Sequence, residues 1–493
     1  MQIALLIVAH APYLRRAGRR PAGEEPLHEL IAHSLIPLAN LLSDLQATGL
    51  GPRVGLACSP LLVEQLLDPV VQKHFVLWMD EVLARRAAEL RRFEEAADHH
   101  GAYLARFYLE WGRQALRSFE ERYERNLARK LRELAAARVI EPLAGAASHA
   151  YLPLLSREES VRAQIEHGLL HTIRHLGRAE GLWLPGCGWR PGLERAAADV
   201  ALRYVVADPS SLPAGAPAAP AWALPRRLAV VFGDEGLARH IWSPDLGYIG
   251  DPLYRDPSAD GGYVAIGAGA PQPYDPYHAL RRAQEHANHF VSLLVAESAR
   301  RAHDDLLVVH LDAQLLGALW FEGPTWLQAV MTLCATHPSL TLTTPGDYLK
   351  AHRPSGQVRM GPGSWAEGGH APWDGPPAAE YWQALHKAEA QMVALAAAHP
   401  GAEAELERVL NQAARELLLA QASEWPALLS AGEPEERAGR WRSYLARFEQ
   451  LADMAASARL SASDRFMLEQ LEEIDGPFPS LNYRIFAPEE SSR

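Results

Sequence analysis

The segment Ile3-Ala4-Leu5-Leu6-Ile7-Val8 is apolar throughout and runs on through Ala9 to His10. With no polar alternation, it reads as a strand buried on both faces, the pattern of a parallel sheet covered by helices. No basic segment precedes it and no cleavage site follows it, so it does not read as a signal peptide. Comparable runs recur at Val54–Cys58, Leu182–Pro185, Tyr204–Ala207, Leu228–Phe232 and Leu306–Leu311, each followed by a helical or loop segment. That alternation predicts an α/β fold, a closed or nearly closed parallel β/α barrel. A doubly wound open sheet satisfies the same pattern.

Working outward, the pattern changes between His74 and about Ala137. Trp78, Leu83, Phe93, Leu104, Phe107, Trp111, Leu116 and Phe119 recur there at helical spacing. The segment is too long for a simple crossover and predicts a helical insertion in the barrel, at about 74–137. Leu212–Pro220, rich in proline and alanine, and Pro354–Pro377 read as loops. From Ala378 to about Arg459, Trp382, Leu385, Met392, Leu395, Leu406, Leu410 and Leu417–Leu419 form apolar stripes. The expected division is a barrel domain over residues 1–355 and an all-helical C-terminal domain over 356–493.

The chain has 493 residues, 48% hydrophobic and 22% charged, with a formal net charge of -12. An acidic balance argues against nucleic acid, whose phosphates need a basic surface. No apolar run is long enough to span a bilayer. Cys58, Cys187 and Cys334 lie far apart and match no zinc spacing or disulfide framework, so a reducing, cytoplasmic setting is expected.

Several motifs are missing. There is no P-loop, no Gly-x-Gly-x-x-Gly after the first strand and no Gly-x-Ser-x-Gly elbow, and no cofactor is expected. His167, His171 and His175 are spaced i, i+4, i+8 on a predicted helix. That spacing strings them over about 12 Å, so a solvated helix face is the expectation and no metal site is assigned. His286 and His289 read similarly, and His99-His100 reads as a surface turn.

Polar residues gather at the predicted strand ends, where barrels place their active sites. They are His10, Ser59-Pro60, His149 in Ala147-Ser148-His149-Ala150-Tyr151 after a possible third strand, Trp183-Leu184-Pro185-Gly186-Cys187-Gly188-Trp189, and Asp312 in Val309-His310-Leu311-Asp312-Ala313-Gln314. Together with Ile241-Trp242-Ser243-Pro244-Asp245, Glu285–Phe290, Leu319–Gly323, Gly363–His370, Ala422-Ser423-Glu424-Trp425-Pro426 and Pro477–Phe486, this order resembles glycoside hydrolase family 57, specifically its α-1,4-glucan branching enzymes. The resemblance implies an incomplete (β/α)7 barrel with a helical C-terminal domain closing the cleft. It also implies retaining chemistry, with a glutamate nucleophile and an aspartate acid/base about 5–5.5 Å apart.

By that resemblance Asp312 falls at the acid/base position, and Gly186 stands where the nucleophile is expected. Val8, Gln314 and Ala318 also stand where the family pattern has histidine, glutamate and histidine. Gly188 is a further departure, and the loop that presents a tyrosine over the cleft is shortened to the Pro/Ala stretch. Glycine supplies neither nucleophile nor charge. The expectation is therefore a catalytically inactive homologue, not itself an enzyme, that binds α-glucan or maltooligosaccharide or assists an active glucan-processing enzyme. His10, His149, Trp183, Trp242, Trp365 and Trp373 are the expected substrate-binding residues, the tryptophans as platforms for sugar faces. The alternatives are an active branching enzyme or amylase-like glycosidase using Asp312 and a second carboxylate, and a scaffold that binds no sugar.

Overall fold

The protein was analysed as a computed structural model that describes residues 1–493 except 16, 19–22, 218, 244, 259–262, 267–271, 303, 458–459 and 490–493. Ala218 of the Pro/Ala loop, Pro244 of the Trp242 segment and Arg459 near the end of the helical stretch lie outside the described residues.

Seven parallel strands form the barrel: β1 (Gln2–Ala9), β2 (Val54–Cys58), β3 (Ile140–Ala144), β4 (Gly181–Trp183), β5 (Tyr204–Ala207), β6 (Ala229–Phe232) and β7 (Leu306–Asp312). The order is β7-β1-β2-β3-β4-β5-β6, with Thr341–Thr343 also pairing with β1. From β6 back to β7 there is one parallel bridge, Gly233 to Val308, so the ring is incomplete on that side. The predicted (β/α)7 barrel is the observed architecture.

Alternation along β1 shows why a wholly apolar strand is required. Ala4 and Leu6 point into the barrel with Leu143, Trp183, Val206 and Val308. Ile3, Leu5 and Ile7 point outward under the helical layer. Both faces are dry, so neither admits a polar residue. Gly55 of β2 is needed for this packing, since a Cβ there would lie 2.3 Å from Leu6 Cδ2.

The helices that matter for the site follow in order. α1 (Pro60–Leu67) and α2 (Pro69–Glu95) are separated by Asp68, whose carboxylate caps α2 at Val70 N, 2.7 Å away. α3 (His99–Arg117) completes a long antiparallel pair with α2 between β2 and β3. α4 (Glu158–His175) follows β3, while α5 (Pro276–Arg300) and α6 (Gly323–Thr336) flank β7 in sequence.

The C-terminal region is helical: α7 (Ala379–Ala398), α8 (Ala404–Ala420), α9 (Glu424–Ser430), α10 (Arg440–Ala456) and α11 (Ala462–Ile474). Its core is continuous with the barrel's outer layer, with Ile165 and Leu169 of α4 in the same buried cluster as Leu417, Phe448, Phe478 and Phe486. No helix among the described residues is long and apolar enough to cross a membrane.

Candidate active site

The strand ends open toward the C-terminal helices, and the sequence between the two regions lies across that mouth. After β4 the chain turns at Pro185–Cys187, and Gly186 adopts a left-handed conformation with φ of 62°. Gly186 O accepts a hydrogen bond from Trp365 N at 2.9 Å, and Trp189 and Gly363 exchange two backbone hydrogen bonds of 2.8 and 3.1 Å. These contacts fix residues 363–373 over the end of β4. Trp373 stacks on Tyr151, with ring centroids 3.9 Å apart, and Trp365 meets Trp373 edge-on at 6.3 Å. Tyr151 in turn hydrogen-bonds His370 Nδ1 at 2.7 Å.

The Trp373 ring occupies the space beside Gly186. A Cβ at this position would lie 2.4 Å from Trp373 Cη2. Cys187 is no substitute nucleophile, because it is buried and burial drives its thiol pKa well above normal, reinforced by Asp208.

Asp312 closes β7 directly beside β1, its Cα paired with that of Val8. Its carboxylate accepts a hydrogen bond from Gln314 N at 2.8 Å. The residue is open to solvent but ringed by protein, and that surrounding burial raises its pKa above the ordinary aspartate value. A carboxyl so placed is suited to proton donation.

Two residues beyond Val8, His10 enters a compact group. Its ring stacks on His149 with centroids 3.7 Å apart and planes 8° from parallel. Each imidazole is anchored through Nδ1, His10 to Ser59 Oγ at 2.8 Å and His149 to Ser423 Oγ at 3.0 Å. Glu424, the first residue of α9, brings Oε2 to 3.4 Å from His10 Nε2. Neither Glu424 oxygen has a hydrogen-bond partner, and His10 Nε2 has none. Burial pushes Glu424 up to about 7, while burial pushes His10 down to about 3 and His149 well below the imidazole range. At neutral pH both rings are therefore neutral, and the close His10–Glu424 approach is not a formal salt bridge.

His10, His149 and Glu424 offer donor atoms within 4.8 Å of one another. The parallel rings, however, send their lone pairs side by side rather than toward one point. Unpaired donors and acceptors in that arrangement suit a sugar hydroxyl or a water better than an ion.

The tryptophans separate. Trp183 is buried inside the barrel, 5.3 Å from the His310 ring, so it fills the core and offers no open face. Trp373 is also buried, whereas Trp365 is 44% exposed and Trp242 is half-buried at the end of helix Glu235–Trp242. Glu424 was not among the sequence candidates. It stands 275 residues from His149, and no spacing rule connects them. The histidines of α4 are not on a solvated face either: His167 and His171 are buried, both against Phe478.

A parallel barrel with a carboxylate at a strand end, capped by helices and by a connecting segment that lays aromatic rings over its mouth, has the build of a glycan-acting barrel enzyme. The chain belongs to glycosyl hydrolase family 57, which it matches over residues 4–361, and residues 384–486 match the C-terminal region of 1,4-alpha-glucan branching enzymes. It is 30% identical to a 1,4-alpha-glucan branching enzyme of Thermococcus kodakarensis, covering 97% of this chain and 77% of the relative. It is 29% identical to a probable branching enzyme of Mycobacterium tuberculosis, covering 97% of each. The crystal structure of a branching enzyme from Pyrococcus horikoshii superposes with a TM-score of 0.91 at 28% identity, covering 100% of this chain and 97% of that one.

These relatives overturn the expectation that the chain is not an enzyme. They are named as branching enzymes, and the match runs through both the barrel and the helical region. Gly186 is one position at the strand-end face, where Asp312 ends β7 and Glu424 lies against His10.

Proposed function

We propose that the protein acts on α-1,4-glucan as a branching-type enzyme, with Asp312 as acid/base and Glu424 as the second carboxylate. Glycosidic chemistry needs two carboxyl groups flanking the scissile bond, one of them able to deliver a proton. Asp312 sits at a strand end with a raised pKa. Glu424 sits against His10, just past the end of the strand paired with that of Asp312, with both oxygens lacking a hydrogen-bond partner. Gly186 supplies no carboxylate, so the second one is drawn from the helical region.

In this reading His10 and His149 hold the sugar at the bond to be cut, Trp365 stacks on a neighbouring unit, and Trp242 extends the cleft. Maltooligosaccharides are the small-molecule counterpart of the substrate. Three buried, unpaired cysteines support a reducing, cytoplasmic location.

The observation that carries the proposal is the pairing of a strand-end Asp312 with a collinear match to branching enzymes over both regions. The test is amylose turnover followed by iodine staining, reducing-end release and counting of α-1,6 branches, for the natural chain, Asp312→Asn and Glu424→Gln. Turnover that either substitution abolishes supports the assignment. Turnover that survives both refutes it.

A further inference from the structure

The histidine row on α4 has a second partner. His167 turns its ring against Phe478, with centroids 4.9 Å apart. His171 and His175, one turn apart, turn toward Glu64 on α1. Their rings are 4.4 Å apart and inclined by 36°, and His171 Nε2 lies 2.8 Å from Glu64 Oε1. One donor atom from each of Glu64, His171 and His175 falls within 4.8 Å of the other two. Neither nitrogen of His175 has a hydrogen-bond partner among the described residues.

We propose that Glu64, His171 and His175 bind one divalent zinc ion, clamping α1 to α4 on the outside of the barrel. Two imidazoles at i, i+4 present their nitrogens to one side of a helix, and a carboxylate from a second helix completes three of four tetrahedral positions. Unlike the parallel pair at the barrel mouth, these rings are inclined, so their lone pairs can meet. Nitrogen ligands lie about 2.0–2.1 Å from zinc, which requires small side-chain rotations from the separations seen here.

The surroundings carry charges of both signs. Glu64 also lines a cavity of 150 Å³ with Asp68, Glu472 and Glu473, where Arg15 is paired to Asp68. Of these carboxylates Asp68 is neutralised by Arg15 and Glu472 by Arg408. Arg132 and Arg174 near His175, and Arg415 near Glu64, oppose binding. His171 Nδ1 is buried without a partner already, so ligation through Nε2 adds no new unsatisfied atom.

The site is independent of the catalytic proposal. Zinc chloride is titrated calorimetrically into the full-length, chelator-treated chain and into His175→Ala, Glu64→Gln and Glu424→Gln. The proposal predicts one zinc per chain, at least tenfold weaker binding in His175→Ala and Glu64→Gln, unchanged binding in Glu424→Gln, and a zinc-dependent rise in Tm that His175→Ala lacks. His175 is half-buried and unbonded, so its removal leaves the fold intact. Absence of zinc binding by the natural chain, binding indifferent to His175→Ala and Glu64→Gln, or binding lost in Glu424→Gln overturns it.

Discussion

The imidazoles of His10 and His149 lie face to face, 3.7 Å between centroids, each tied by its Nδ1 to a different serine. Ser59 belongs to the barrel and Ser423 to the helical region. The stack therefore joins the first and third barrel loops to the cap, and His149 adopts a left-handed φ of 60° to reach it.

Replacing His149 with alanine removes one ring of that stack and frees Ser423. Amylose turnover is expected to fall at least tenfold, the equivalent of about 1.4 kcal/mol of transition-state stabilisation. Far-UV circular dichroism should be unchanged, which separates loss of the site from loss of the fold.

Glu424 makes stability depend on pH in a defined direction. Its folded pKa of about 7 lies above the ordinary glutamate value of 4.5. Its neutral form is thus favoured in the native state, and stability falls as pH rises from about 4.5 to 7. Glu424→Gln, permanently neutral, should match the natural chain near pH 4 and exceed it by about 3 kcal/mol at pH 8 in urea denaturation. A difference that is the same at both pH values would contradict the environment described for Glu424.

Gly186 is held by conformation and by its neighbour. Placing glutamate there forces a side chain into a left-handed position against the Trp373 ring. The expected cost is at least about 1–2 kcal/mol of stability, with no gain in glucan turnover. Denaturation curves and the amylose assay on Gly186→Glu check both.

Trp365 and Trp373 should separate in their effects. The exposed Trp365, changed to alanine, should raise KM for maltooligosaccharide about threefold to tenfold with kcat little changed. Trp373→Ala removes a buried ring stacked on Tyr151 and should cost about 3–5 kcal/mol of stability.

Six of the seven barrel strands are legible as apolar runs because both of their faces are dry. β3 is not, since Ile140-Glu141-Pro142-Leu143-Ala144 is interrupted by a carboxylate and a proline. Glu141 is tolerated because Tyr204 Oη donates to it at 2.8 Å and Gly346 N at 3.1 Å. The third strand is therefore expected only as a possible one, without bounds, ahead of His149; it ends at Ala144. Asp312 and His10 stand out at strand ends, but the roles expected of them come from the family resemblance. Glu424, present only within the Ala422–Pro426 match, has no role there because it reaches His10 from a helix distant in sequence, and Trp183, expected to bind substrate, is turned by the strand's alternation into the buried interior. His167 and His171 read as a solvated face only while Phe478 and Glu64, distant in sequence, are left out.

The central claim is that Asp312 drives glucan chemistry in this cleft. The most direct measurement is amylose turnover by the natural chain and by Asp312→Asn, prepared identically and shown to be equally folded. The account predicts branched product from the natural chain and a loss of several powers of ten in the variant. An inert natural chain, or equal turnover by both proteins, would contradict it.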